Sequence, residues 1–498
     1  MFFLGYDVGS SSVKASLVEG ATGKVAARAM SPADGEMPID APAPGWAEQP
    51  PALWWDHLKR ATVMLLEKSG AAARDIGGIG ISYQMHGLVL IDRDHNVLRP
   101  AIIWCDSRAV ETGEKAFRRI GRERALTHLL NSPGNFTAAK LAWVKEHEPE
   151  IYRKTWKFML PGDYLAMRMT GEAATTITGL SEGIFWDFRE NDLSQLVTDA
   201  FGFDPNLFPL IVPVFGEQGR LTEAAARELG LHGGIPVTYR AGDQPNNAFS
   251  LNVLEPGEVA ATAGTSGVVY GVSDTPDYDP LSRVNTFVHV NHHPPDNRYG
   301  VLLCINGTGI LNAWLRRNLF TGAISYDAMN GQALTVPPGA EGLITLPFGN
   351  GAERILSNRN PGALFRGMQF NIHTRAHLLR SAQEGIAFSF RYGLEIMKET
   401  GMDTRVIRAG HANMFLSPLF TEVLAAATGI RIELYDTDGA RGAALGAALG
   451  AGYYASAEEC FRTLERKSVV EPEASLRAPY EEAYGRWLEA LEMMLEGE

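Results

Sequence analysis

Four stretches of the chain end an apolar run in residues that can do chemistry. Near the start, Phe2, Phe3, Leu4 and Tyr6 lead to Asp7, after which Gly9, Ser10, Ser11 and Ser12 precede Lys14. Glycine and serine offer backbone N–H groups and hydroxyls to an anion without side-chain bulk, so this turn is shaped for phosphate. Ile76 to Ser82 runs into Gln84-Met85-His86-Gly87, Ile102-Ile103-Trp104-Cys105 into Asp106-Ser107-Arg108, and Ile235 to Tyr239 into Gly242-Asp243-Gln244. Open α/β sheets place ligand contacts at strand ends. Met85 and His86 make a soft, polar pair there, and Asp106 with Arg108 is either a simple ion pair or a device that orients a polyhydroxy ligand by charged hydrogen bonds. Asp243 reads equally as a functional acid and as a helix N-cap. Further on, Ala263-Gly264-Thr265-Ser266-Gly267 is a second small-residue tip, and Val406 to Asn413 is a strand entering a turn at Gly410, where exposed backbone can seat a base or ribose.

The elements that must position these residues follow from periodicity. Val13 to Val18 returns as a strand, so the first tip is that of a hairpin rather than the strand-to-helix junction of a Walker loop. Val259 to Thr262 and Val268 to Tyr270 repeat the arrangement, which predicts an internal duplication: residues 1–249 and 250–498 as two related halves facing each other across a nucleotide. Gly23-Lys24 is only a turn, because Val25 stands where a phosphate loop needs Ser or Thr. A Trp54-Trp55 helix near residue 50 packs through its aromatics. Glu111 to Gly230 is mostly helical, and helices are expected at Asn247 to Leu251 and Pro418 to Thr428. Gly439, Gly442, Gly446, Gly450 and Gly452 form a small-residue helix face for close packing, and Ala474 to Glu498 is a charged amphipathic helix covering a surface. His289, His292 and His293 lack an acidic or thiolate partner at metal-site spacing.

Composition narrows the function. At 498 residues the chain exceeds one ordinary core. It is 45% hydrophobic and 21% charged, which is globular, and no run of some 18 apolar residues marks a membrane span. With 45 basic against 58 acidic residues the net charge is −13, which argues against a nucleic-acid partner. The start has no basic leader, and three scattered cysteines, Cys105, Cys304 and Cys460, fit the reducing cytoplasm. Monomer and homodimer are both compatible with this surface.

Taken in order, Asp7-x-Gly9-Ser10-Ser11-x-x-Lys14, Gln84-Met85-His86-Gly87, Gly242-Asp243, Gly264-Thr265-Ser266-Gly267 and the late glycine turn resemble the FGGY carbohydrate kinases along essentially the whole chain. Gln84 to Gly87, with Trp46-x-Glu48-Gln49 and Trp104-x-Asp106-x-Arg108, resemble the members that phosphorylate D-xylulose on its 5-hydroxyl. The resemblance implies an α/β fold of two ribonuclease-H-like domains of the actin and Hsp70 type around a central ATP and sugar cleft, with the sugar mostly on the first domain and ATP mostly on the second.

It also implies roles. Asp243 becomes the general base, and Asp7 supports Mg²⁺, through water. Met85, His86, Asp106, Arg108, Asp243 and Gln244 meet the sugar. Gly9, Ser10, Ser11, Ser12 and Lys14 on one side, and Gly264, Thr265, Ser266, Gly267 and Gly309 on the other, hold the phosphates of ATP. Gly410 and Asn413 face its adenosine. Two departures from the family pattern stand out: Gln244 replaces a frequent Asn, and Ala409-Gly410-His411-Ala412-Asn413 replaces a run of glycines. Rival readings are a kinase for L-ribulose, D-ribulose, glycerol or a sugar acid, and a non-catalytic ATP-gated binding protein on the actin-like fold.

Overall fold

A computed structural model describes residues 1–497. The chain forms two compact units. Unit 1 comprises Met1–Asn252, Phe287–Tyr299 and Thr437–Leu464; unit 2 comprises Val253–Thr286, Gly300–Asp436 and Glu465–Glu498. Division at a single point near residue 250 would put residues 437–464 in the second half, whereas they pack with the first.

Unit 1 is built on five strands: β1 (Phe2–Val8), β2 (Val13–Glu19), β3 (Val25–Ser31), β4 (Ile76–Tyr83) and β5 (Val237–Gly242), in the order β5-β4-β1-β2-β3. β1 and β2 are an antiparallel hairpin in which Asp7 lies opposite Lys14. β1 and β4 are parallel, which sets Asp7 opposite Ser82, and β5 runs parallel to β4. β1 is apolar at nearly every position because the sheet is covered on both faces. One cover is the Pro51–Ser69 helix, which opens on Pro51 and stops at Gly70 in a left-handed turn. Trp54 is fully buried there and donates its indole N–H to Gln49 at 2.9 Å.

The other cover is the Gly439–Gly450 helix. It lies so close to β1 and β4 that a Cβ at Gly5 or Gly80 would collide with the backbone carbonyls of Ala440 and Ala443. This is the close packing its small residues predict, and it explains why a segment late in the sequence belongs to the first sheet.

A second sheet comprises β6 (Glu258–Ala263), β7 (Gly267–Ser273), β8 (Asn285–Val288), β9 (Tyr299–Ile305), β10 (Val406–Gly410), β11 (Arg431–Tyr435) and β12 (Arg466–Val470), in the order β8-β9-β7-β6-β10-β11-β12. β6 and β7 form an antiparallel hairpin, and β10 lies parallel to β6 and to β11. The inner five strands thus repeat the unit 1 order: a hairpin flanked by the third strand on one side and two crossover strands on the other. The duplication read from the two small-residue tips is real at the level of topology.

The tail helix, Ala474–Glu496, does more than cover a surface. Tyr480, Tyr484 and Trp487 are all at most 2% exposed in the unit 2 core, and the Trp487 indole donates to the Thr345 carbonyl at 3.0 Å. Among the described residues no helix is long and apolar enough to cross a membrane.

Candidate active site

In unit 1 the strand ends converge. Asp7, at the end of β1, accepts from the Ser82 hydroxyl at 2.9 Å. Burial pushes its carboxyl up; Lys14 and Ser82 pull it back, and the charge of Asp438 adds to the rise. The hairpin tip beyond it is tight, with Gly9 N–H donating to Ser12 O at 3.0 Å. Ser10, Ser11 and Ser12 reach solvent to differing degrees, and Lys14 is exposed on the strand that leaves the tip.

Asp243 is not the N-cap that it can be read as from sequence. Gly242 caps the helix and Asp243 is its first residue, in a helix that spans Asp243–Ser250 rather than starting at Asn247. A carboxylate gains from a helix N-terminus, but here burial dominates and the charge of Asp7 adds to it, so the Asp243 carboxyl rises to about 7. Asp7 and Asp243 are therefore brought together. Gln244 follows, bonded to Asp243, with its own Oε1 buried and without a partner.

Met85 is buried beneath Gly242, where a Cβ would fall 2.6 Å from its Cγ. His86 sits beside it with a left-handed φ of 61°. Its ring lies edge-on to Phe136 at 4.8 Å and near Phe287 at 5.5 Å.

Asp106 and Arg108 are heavily engaged with the protein itself. Asp106 is fully buried, and its two oxygens accept from Ala47 N at 2.6 Å, Arg108 N at 2.9 Å, and the Arg108 Nε and Nη2 at 2.9 and 2.7 Å. Those donors occupy the lone pairs that a sugar would need. The Arg108 side chain is 0% exposed, lies 3.9 Å over the Trp46 ring, and meets Glu48 at 2.7 Å. Both residues brace the loop that carries Trp104 through these contacts.

Three residues that sequence reasoning missed belong to this site. Trp104, 54% exposed beside that brace, points its indole N–H toward Ser10 Oγ at 3.4 Å and offers an apolar ring at the ledge. Its place in the Trp104-x-Asp106-x-Arg108 motif was the available signal. Glu182 and Lys140 are both buried ionisable groups touching His86. Neither lies in a recognisable motif, and only the fold brings them there.

Unit 2 holds its own pocket, a cavity of about 580 Å³ lined by Gly264, Thr265, Gly309, Asn312, Asn413 and Ser417 among others. Gly309 N–H donates to Gly264 O at 2.9 Å and Ile310 N–H to Thr265 O at 3.1 Å, so the β6–β7 tip is tied to the start of the Gly309–Leu319 helix. Behind it, the buried Glu353 accepts from Asn306 N and Gly307 N, both at 2.9 Å, and burial lifts its carboxyl to about 7. Asn413 takes φ 54°, supplying by its tolerance of the left-handed region what a glycine supplies elsewhere. Ser266, Gly267 and Gly410 do not line the cavity. Gly267 is packed against Phe390 and Thr308, and Gly410 ends β10 with its carbonyl accepting from Ala412 N.

Comparison with known proteins agrees with this architecture. Residues 2–250 match the N-terminal domain of the FGGY family of carbohydrate kinases, and residues 259–455 match its C-terminal domain. The chain is 31% identical over 485 residues to a xylulose kinase of Bacillus subtilis, covering 94% of this chain and 92% of that one. It is 29% identical over 485 residues to one of Escherichia coli, covering 96% of each. The crystal structure of xylulose kinase from Rhodospirillum rubrum superposes with a TM-score of 0.88 at 26% identity, covering 100% of this chain and 99% of that one. The chain belongs to the FGGY family of carbohydrate kinases, two-domain phosphotransferases that act on a sugar with ATP.

Proposed function

We propose that the chain transfers the γ-phosphoryl group of ATP to the 5-hydroxyl of D-xylulose, releasing D-xylulose 5-phosphate and ADP in the cytoplasm. The observation that carries the reading is Asp243: a carboxyl at the end of β5 whose burial and acidic neighbour set it near neutrality. A primary alcohol is a poor nucleophile, and a base poised near the working pH accepts its proton most effectively as the new P–O bond forms. Met85, His86 and the Trp104 ring form the ledge beside it, and Gln244 Oε1, buried and unpartnered, is an acceptor for a sugar hydroxyl. The choice of D-xylulose rests on Gln84 to Gly87 and on the full-length likeness to chains named as xylulose kinases.

Gly264, Thr265, Gly309 and Asn413 are assigned to ATP, its adenosine in the unit 2 cavity and its phosphates at the β6–β7 tip. Gly9, Ser10, Ser11, Ser12 and Lys14 are assigned to the transferring end of the phosphates. A divalent cation fits beside Asp7. Its carboxyl is raised partly by Asp438 and in turn raises Asp243, so acidic groups there repel one another. Mg²⁺ takes few protein carboxylates and keeps much of its water, so Asp7 would suffice to hold it. Bound there, Mg²⁺ would neutralise charge on the phosphoryl oxygens.

The test is ADP release by the purified protein with Mg-ATP across D-xylulose, D-ribulose, L-ribulose, glycerol and gluconate. The proposal expects kcat/KM for D-xylulose to exceed the others by about a hundredfold, or about 2.7 kcal/mol of transition-state discrimination. A different winner would reject the acceptor, and ADP release independent of any sugar would reject the reaction.

A further inference from the structure

Two buried ionisable side chains, Lys140 and Glu182, converge on His86. Lys140, in the Thr137–His147 helix, is 0% exposed, and its ammonium donates to His86 O at 2.8 Å and Ile103 O at 3.0 Å. Glu182 ends the Ile177–Glu182 helix and is 1% exposed. Its Oε1 accepts from His86 N–H at 3.3 Å, and its backbone carbonyl lies 3.0 Å from His86 Nδ1. A carbonyl only accepts, so Nδ1 carries the proton in this contact.

Buried ionisable groups of opposite type ordinarily pair with one another. Here Lys140 bonds the backbone of His86 and Ile103, and Glu182 bonds the backbone of His86 while also facing the charge of Asp243. The residue they hold is also strained, since His86 adopts a left-handed φ of 61°. Such strain persists only where the surroundings over-determine it. Burial draws the Lys140 ammonium down to about 7 and lifts the Glu182 carboxyl well above its usual range, so the fold spends stability to keep both groups in place.

We infer that Lys140 and Glu182 are positioning residues for the sugar acceptor: together they hold His86 in its strained conformation and tie it to the Ile103–Trp104 ledge, fixing the surface that the acceptor meets. The inference rests on the sugar-kinase reading of this site. It names residues that meet no ligand and act through His86 and Trp104.

The experiment compares wild type with K140M in steady-state kinetics and in hydrogen–deuterium exchange. The clamp expects the KM for D-xylulose to rise at least tenfold in K140M, with kcat and the KM for ATP within about twofold of wild type, because an acceptor-side contact is lost while the transfer step is retained. It also expects segments 84–89 and 101–106 to exchange at least tenfold faster while segment 2–8 is unchanged. An unchanged acceptor KM, or equal loss on the ATP and acceptor sides, would overturn it. If K140M does not fold, E182L and E182Q decide. E182L should reproduce the acceptor-side loss, and E182Q, which keeps an acceptor for His86 N–H, should recover most of it; identical behaviour of the two would overturn the clamp. A wild type without sugar-dependent turnover would reject the proposed function, while the exchange comparison would still judge whether Lys140 holds the two loops.

Discussion

Replacing Asp243 by Asn should make the protein more stable and nearly inactive, and the stability gain should depend on pH. The Asp243 carboxyl rises from 3.8 to about 7, chiefly by burial and secondarily by the charge of Asp7. Each tenfold weakening of an acid corresponds to about 1.4 kcal/mol, so holding Asp243 ionised in the folded protein costs on the order of 4 kcal/mol. A carboxyl with a raised folded-state pKa costs nothing below pH 3.8, where both states are protonated. Its penalty grows between about pH 4 and 7 and is complete above 7. Asn preserves the shape without the charge. At pH 8 D243N should melt several degrees above wild type, since about 1 kcal/mol moves the melting temperature of a domain this size by about 2–4 °C. At pH 5 the two should differ by less than half as much. Differential scanning fluorimetry at both pH values, on the same preparations used for ADP release, measures this directly. Turnover should fall by a factor of about 10² to 10⁴, the usual contribution of a general base. A D243N protein that melts at or below wild type at pH 8, or whose gain is equal at pH 5, would refute the idea that burial and Asp7 tune this group.

The same carboxyl should place the acid limb of wild-type kcat/KM near pH 7, rate rising as Asp243 ionises, and a pH–rate profile flat from pH 5.5 to 8 would contradict it. Asp106→Ala should act on stability before it acts on sugar binding. It leaves the buried Arg108 with only Glu48 as a charged partner, a loss on the order of 3–5 kcal/mol that denaturant unfolding should register, and retained stability with only a raised sugar KM would restore Asp106 as a ligand contact. Gly80→Val should prevent unit 1 from folding because the added carbons meet the Ala443 carbonyl, and soluble, active G80V would show that the 439–450 helix can move away. Trp487→Ala should cost about 3–5 kcal/mol through the cavity it leaves in unit 2, read as a lower unfolding midpoint.

Much of the framework is legible in the order of the amino acids alone. The two hairpins announce themselves through apolar runs interrupted by Gly and Ser, whereas the order of strands around them comes only from the fold. The 439–450 helix shows its small-residue face, but which sheet it packs on is not local information. That partner is chosen by Gly5 and Gly80, more than 350 residues earlier, whose missing side chains mean little until a helix lies across them. Lys140 and Glu182 are hidden for a similar reason. A lysine in the helical run after Thr137 and a glutamate before Gly183 resemble surface residues until the fold buries them against His86.

Three aspartates that look alike in sequence show where such reading stops. Asp7, Asp106 and Asp243 each end an apolar strand-like run beside a glycine or a base, and motif reading gives all three a role at the ligand. The structure separates them by what surrounds each carboxyl. Asp106 receives hydrogen bonds from Ala47 N and from Arg108 N, Nε and Nη2, so its oxygens have nothing left to offer. Asp7 has Ser82 and the facing Lys14, which offset part of the cost of its burial. Asp243 has burial, Asp7 and little compensation beyond Gln244, so its carboxyl rises to about 7. Proton transfer near neutral pH requires a carboxyl that is poorly satisfied as an anion, and satisfaction depends on donors contributed from elsewhere in the chain. The position of an acid at a strand end therefore nominates a site, but the number of donors around it decides whether it braces the fold, attracts a metal or accepts a proton.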